Sequence, residues 1–130
     1  ARMQTARLTS AKLPGAMLDR ALLMDAVANN ADFSGTTMNR TNLSGAHMAR
    51  GLFDGATISF SGFVKVKAGR ASFADATIAH TDFYGADLRR ASVTGAKLTG
   101  NRFTTAAASG VDFDQATMNG NFMVNGQQQD

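Results

Sequence analysis

The chain has 130 residues, thirteen basic and ten acidic side chains, a net charge of +3 and no cysteine. This length fits a single domain, and the lack of cysteine excludes disulfide bonds and thiolate metal sites. No apolar run approaches the roughly 20 residues of a membrane-spanning helix, and no signal-peptide pattern opens the sequence. We therefore expect a cytoplasmic domain without a membrane span.

An apolar residue stands at every fifth position from Met3 to Met123 without interruption. A small residue, most often alanine, stands two positions before it, as at Ala6 and Ala11. A period of five fits neither the helix period of 3.6 nor the strand period of 2. Such a short strict repeat indicates a solenoid in which each unit stacks only on its neighbours.

The apolar residues also repeat every 20 positions, which predicts a coil of four pentapeptides. Phenylalanine dominates two of the four columns, one of which is interrupted by Val93. Two coils that hold two phenylalanines take alanine in the second column, at Ala68 and Ala108, as the fixed volume of a close-packed interior requires. The expected core phenylalanines are Phe33, Phe53, Phe63, Phe73, Phe83, Phe103 and Phe113.

Glycine marks the corners of the coil. Nine of the thirteen glycines stand two residues after the central apolar residue. This is the third position of a four-residue type II turn, where φ is positive and glycine has no steric cost. The nine are Gly15, Gly35, Gly45, Gly55, Gly85, Gly95, Gly100, Gly110 and Gly120.

Several units resemble the A-(D/N)-L-x-x motif of the pentapeptide repeat family, among them residues 31–35 (ADFSG), 41–45 (TNLSG) and 86–90 (ADLRR). The resemblance implies an all-β, right-handed quadrilateral parallel β-helix of about six coils over residues 1–125. Gln128 replaces the next central apolar residue, so residues 126–130 are expected to form a disordered tail. No amphipathic helix flanks the repeat, and we expect a flanking domain or an oligomer to cover the open ends of the rod.

Basic and acidic side chains separate onto neighbouring faces, which we number 1 to 4 within each coil from the pentapeptide of Met3. Face 2 is mostly basic and face 3 mostly acidic. Two interpretations stay open: a patch that docks an acidic partner, or chance clustering on a soluble rod. The candidate partner-binding residues on face 2 are Arg50, Lys67, Arg70, Arg89 and Arg90. The acidic residues of face 3 are Asp32, Asp54, Asp75, Asp112 and Asp114.

Face 1 carries a second candidate contact surface. Met24, Val64, Tyr84 and Val124 share one outward repeat position and therefore one column. Such an apolar stripe either contacts a partner or consists of the isolated exposed apolar residues that are normal on protein surfaces.

No set of residues indicates catalysis. His47 and His80 fall on different faces and cannot form a metal pair, and a convex corner offers no water-excluding site for a general base. A single file of core side chains also leaves no room for an enclosed ligand pocket. We therefore expect no catalytic residue, no metal site, no cofactor and no enzymatic activity.

These observations favour a non-catalytic rigid rod that serves as a scaffold for protein–protein interaction, as a module of a larger bacterial protein. The family resemblance offers a first alternative, a DNA mimic that protects or inhibits DNA gyrase. A net positive chain without glutamate argues against it, because mimicry of a duplex requires dense negative charge. A secreted or secretion-associated effector module is a second alternative. The expected partner is a protein rather than a nucleic acid.

Overall fold

The computed structural model, which describes residues 2–129, is a parallel β-solenoid with four faces per coil. Residue n pairs in parallel with residue n + 20 on every face. On face 1, six successive pairings join seven residues, so the chain makes six full coils: Arg2, Leu22, Asn42, Gly62, Asp82, Arg102 and Phe122. The β-solenoid fold expected from the 20-residue period is therefore confirmed.

Within residues 2–129, continuous strands form only on face 4. They build a five-stranded parallel sheet in the order β1-β2-β3-β4-β5, with β1 at Thr37–Asn39, β2 at Thr57–Ser59, β3 at Thr77–Ala79, β4 at Lys97–Thr99 and β5 at Thr117–Asn119. The other three faces pair through isolated bridges. A 3-10 helix at Phe113–Gln115 is the remaining regular element of the described chain.

The phenylalanine columns form stacked ladders inside the rod. Phe53 stacks on Phe33 and Phe73 at centroid distances of 5.3 and 4.9 Å, with ring planes within 11° of parallel. Phe53 also meets Phe63 of the opposite column edge to face at 6.0 Å. Six of the seven expected core phenylalanines are buried, and Phe113 in the last coil is partly buried.

The last coil departs from regular geometry on face 3. The Asp112 carboxylate accepts a hydrogen bond from the Asp114 amide at 3.0 Å and begins the 3-10 helix. Below this helix, Val93 replaces the phenylalanine of its column, and a void of about 10 Å³ remains among Phe73, Phe113 and their neighbours. The side chains of the next coil therefore do not fill the volume that the smaller Val93 leaves empty.

The corners have the left-handed backbone that the glycines predict. All nine glycines of the corner position have φ between 63° and 81°. Other residues accept the same conformation where the repeat places them, for example Asn30 at 62° and His80 at 50°. At the last corner the positive φ moves from Asn125 to Gly126, at 84°.

The corner between faces 4 and 1 contains a buried polar ladder instead of alanine. In the first coil the Ala21 amide donates to the Leu18 carbonyl at 3.0 Å, as in an ordinary turn. In later coils the corresponding residue is polar. From Ser61 onward its side chain accepts a hydrogen bond from the backbone amide one coil below, whereas the Thr41 hydroxyl donates to the Leu18 carbonyl. The ladder consists of Thr41, Ser61, Thr81, Asn101 and Asn121, all buried.

The end of the chain folds back on the last coil. Phe122 and Gln128 form an antiparallel bridge, and the Gln129 side chain accepts hydrogen bonds from the backbone and side chain of Asn121. Residues 126–129, expected to be a disordered tail, therefore pair with the backbone edge of the solenoid, because that edge offers free hydrogen-bonding groups. Asp130 lies outside the described residues.

Candidate functional site

Four of the five candidate basic residues lie around one open groove on face 2. Arg50, Arg70, Arg89 and Arg90 line it together with Asp87, and the groove has a volume of about 560 Å³. The remaining lining residues are the small side chains Ala49, Gly69 and Ser109. Because these residues come from four successive coils, the groove runs along the axis of the rod.

Three of the arginines form a column at the corner of faces 2 and 3. Arg50, Arg70 and Arg90 occupy the same repeat position in successive coils and have φ of 57°, 59° and 61°. Stacked coils repeat at about 4.8 Å, so the three exposed side chains leave the backbone at that interval. The next residue of the column is Gly110, where an added Cβ would come within 3.0 Å of Arg90 Cγ. Arg90 therefore packs over this glycine, at the end of the column.

Arg89 is held by an ion pair at the side of the groove. Its Nε donates to Asp87 Oδ1 at 2.9 Å, and its NH2 group donates to Oδ2 at 2.7 Å. The hydrogen bond from the Arg89 side chain lowers the pKa of Asp87, and the Asp87 carboxylate raises the pKa of Arg89. Four arginines and one aspartate give the lining of the groove a net charge of +3.

Lys67 shares face 2 but does not line the groove. It pairs through the backbone with His47 and Asp87, and its side chain is exposed. The charge pattern of the sequence thus places all five basic residues on one face. The groove itself depends on a second property, the small size of the side chains between the arginines.

The predicted apolar stripe of face 1 is largely covered. Met24, Val64 and Tyr84 are half-buried, and Val124 is 39% exposed. The Arg102 guanidinium lies 4.6 Å from the centre of the Tyr84 ring and is itself held by Asp82 at 2.9 and 2.6 Å. The stripe is therefore not a continuous apolar surface in this conformation.

The acidic residues of face 3 are partly engaged in local structure. Asp32 accepts a hydrogen bond from the Ser34 amide at 2.9 Å, and its hydrogen bonds with Ser34 lower its pKa. The carboxylate of Asp75 lies over Gly95, where an added Cβ would come within 2.2 Å of Oδ1. With Asp112 capping the 3-10 helix, Asp54 and Asp114 are the members without such a local role among the described contacts.

One exposed cluster was missed by the sequence analysis. The Phe60 ring is 56% exposed, stacks on the His80 imidazole at 5.0 Å and lies 5.5 Å from the Arg40 guanidinium. The three residues are 20 positions apart, so the column itself was visible in the sequence. Its neighbours occupy the faces of the Phe60 ring. The stack therefore stabilises the corner and does not offer a ring face to a ligand.

Two other features, a metal site and a membrane-spanning helix, are not found in residues 2–129. No three histidine or acidic side chains lie close enough there to hold a metal ion. No helix in the described chain is both long and apolar enough to cross a membrane.

Square coils of stacked pentapeptides define a β-solenoid repeat protein, and comparison with known families gives the same result. The family model described as pentapeptide repeats matches eight copies, over residues 1–45, 69–104 and 81–120. The chain belongs to the pentapeptide repeat family. Among curated proteins, no significant match is found.

Two solved structures show the same fold at low sequence identity. QnrB1, a plasmid-mediated fluoroquinolone resistance protein, is 15% identical, with a TM-score of 0.63 over 95% of this chain and 82% of QnrB1. A pentapeptide repeat protein from the thylakoid lumen of Arabidopsis thaliana is 17% identical, with a TM-score of 0.54 over 91% of this chain and 72% of its own. At such identities the likeness concerns the fold alone.

Proposed function

We propose that this protein is a non-catalytic rigid rod that binds an acidic protein partner through the basic groove of face 2. The observation that supports the proposal is the convergence of Arg50, Arg70, Arg89 and Arg90 on one groove. Cationic side chains on one surface raise the rate and specificity of association with an oppositely charged partner.

The interior supports a structural rather than a catalytic role. The void beside Val93, at about 10 Å³, has the volume of a single water molecule. Small-molecule sites have volumes of about 300–1,000 Å³ and bury most of the ligand. The groove reaches such a volume, but it is open to solvent and polar, as an interaction surface is.

Rigidity follows from the hydrogen-bonded coils. Each coil donates and accepts backbone hydrogen bonds with the coils on both sides, and no buried side-chain nitrogen or oxygen atom in the described chain lacks a partner. A surface built on such a scaffold keeps its shape on binding and loses little conformational entropy. The groove is therefore preorganised at its backbone, while the long arginine side chains adapt.

The charges disfavour mimicry of DNA. Three of the five acidic residues on face 3 pack in local turns or over a glycine, and the remaining two, Asp54 and Asp114, lie three coils apart. A duplex carries one negative charge per about 1.7 Å of its axis. This density is far above that of face 3.

The proposal is tested with poly-L-glutamate, a probe that has acidic side chains and no fixed conformation at neutral pH. The test variant is Arg50→Glu/Arg70→Glu/Arg90→Glu. The control variant is Lys12→Glu/Arg20→Glu/Lys97→Glu, which makes the same change of net charge at exposed residues outside the groove.

Fluorescence anisotropy at two salt concentrations provides the measurement. We expect the native protein and the control variant to bind the probe more tightly at low salt, since exposed charges are screened over about 8–10 Å at 0.1–0.15 M. The groove variant should lose the binding. If the two variants bind equally well, or if the native protein does not bind, the groove is not the interaction surface.

A further inference from the structure

We infer that the basic groove selects an acidic α-helix that lies along the axis of the rod, with its carboxylates on one side. This inference rests on the proposed function and adds the shape of the partner. It follows from the spacing of the arginines in successive coils and from the position of Asp87.

The spacing of the column matches a helix. At about 4.8 Å per coil, the Cα atoms of Arg50, Arg70 and Arg90 lie at about 0, 4.8 and 9.6 Å along the axis. A helix rises about 1.5 Å per residue, so acidic residues at i, i+3 and i+7 lie at about 0, 4.5 and 10.5 Å on one face. The two sets differ by about 1 Å at most, which flexible arginine side chains can absorb.

Other acidic partners fit the column less well. Alternate residues of an extended strand are about 6.7 Å apart, so three acidic residues on one side extend over about 13 Å. The third carboxylate would lie nearly 4 Å beyond the third arginine by the same estimate. The phosphates of a DNA strand rise by about 3.4 Å per nucleotide, which brings more negative charges to the column than it has cations.

The ion pair makes the groove asymmetric. Arg89 turns back along its own coil toward Asp87, at hydrogen-bond distances of 2.7–2.9 Å. The corner column thus forms one side of the groove, and a partly neutralised pair forms the other. A helix with carboxylates all around would place one of them near Asp87, where like charges repel. A helix with a single acidic face avoids this repulsion.

Three synthetic peptides of identical composition test the inference. The first is an amphipathic helix with glutamates at i, i+3 and i+7 on one face. The second is a helix with the same glutamates distributed around its circumference. All three peptides contain the same prolines, and in the third these stand at interior positions, which keeps the peptide extended. The glutamates of the third peptide stand at alternate positions. A short DNA duplex is a fourth probe.

We expect the first peptide to bind at least about tenfold more tightly than the second and third, since misplaced carboxylates lose ion pairs and meet Asp87. The variant Arg50→Glu/Arg70→Glu/Arg90→Glu should lose this preference, and the control Lys12→Glu/Arg20→Glu/Lys97→Glu should retain it. Circular dichroism of the free peptides confirms which are helical.

The possible outcomes distinguish a failure of the helix inference from a failure of the proposed function. Equal or tighter binding of the second or third peptide overturns the helix assignment and leaves the acidic-partner proposal intact. Binding of poly-L-glutamate without binding of the first peptide has the same meaning. Tighter binding of the DNA duplex, dependent on the groove arginines, or failure of every acidic probe overturns both.

Discussion

Asn101 Oδ1 accepts a hydrogen bond from the Thr81 amide, one coil below, at 2.9 Å, and Asn101 Nδ2 donates to the Ile78 carbonyl at 2.9 Å. One buried side chain thus satisfies a donor and an acceptor that an ordinary turn would join directly. The strands of face 4 end at corners of this kind, whereas the first corner, with Ala21, keeps the backbone turn. The polar ladder therefore explains why regular strands form on this face.

Replacing Asn101 with leucine should destabilise the rod by roughly 2–6 kcal/mol, because two buried backbone groups lose their partner at about 1–3 kcal/mol each. Threonine at this position should cost less, since Thr81 fills the same position one coil below. Chemical denaturation measures the free energy of unfolding. The exposed substitution Asn119→Leu is the control, with an expected change within about 0.5 kcal/mol. An equal loss for leucine at both positions would contradict the role of the ladder.

The 20-residue repeat predicted most of the fold, because each column of side chains is written in the sequence at a fixed interval. These columns predict the 20-residue coil, its corners and the separation of basic and acidic side chains onto different faces. The polar ladder has the same 20-residue period in the sequence. However, Thr41 and Asn101 stand where most units have alanine, and what distinguishes them is their ability to form hydrogen bonds rather than their size. The 3-10 helix at Phe113–Gln115 interrupts a repeat that continues unbroken in the sequence, and nothing in the periodicity marks it.

The candidate site was less predictable, because it depends on side-chain conformations. The sequence placed Arg89 and Asp87 on one face but could not show that they pair with each other. Likewise, Tyr84 belonged to an outward apolar column, and only the structure shows the Arg102 guanidinium over its ring. Contacts of this kind form between flexible side chains and have no period.

Phe53→Ala should destabilise the protein by about 3–5 kcal/mol, the usual cost of truncating a buried aromatic side chain. Phe53 contacts three other phenylalanines in the core. Phe60→Ala is the matched control, because Phe60 is exposed and loses only its contacts with Arg40 and His80, a cation–π contact at about 0.5–1 kcal/mol and a ring stack at about 0.5–1.5 kcal/mol. Denaturation curves with equal shifts for the two variants would show that the register of the core is wrong.

Val93→Ile should stabilise the protein by about 0.5–1.5 kcal/mol, because the added methylene group enters the void beside Phe73 and Phe113. The same substitution at Val66, which is fully buried, should instead cost about 1–3 kcal/mol through overpacking. Thermal unfolding of both variants provides the comparison. A loss of stability for Val93→Ile would mean that the space beside Val93 is already filled.

Arg89→Ala should raise the pKa of Asp87 toward the usual aspartate value of 3.8, because the hydrogen bond from the Arg89 side chain is the largest cause of its lowering. A carboxyl group with a lowered pKa stabilises the folded state above its unfolded pKa, and this contribution is lost as the pH falls through the folded pKa. In the native protein the ion pair should therefore persist to a lower pH than the usual aspartate pKa of 3.8 would allow, and break only as the pH falls through the lowered pKa of Asp87.

An NMR titration of the aspartate carboxyl carbons tests this prediction in both proteins. The pKa of Asp32 is the internal control, because it is lowered by hydrogen bonds with Ser34 and should not respond to a change at Arg89. As Asp87 takes up its proton, the lining of the groove gains one positive charge and the Arg89 guanidinium is released toward the arginine column. An unchanged Asp87 pKa in Arg89→Ala would show that the two side chains do not pair in solution, and the groove would then present four free arginines at neutral pH.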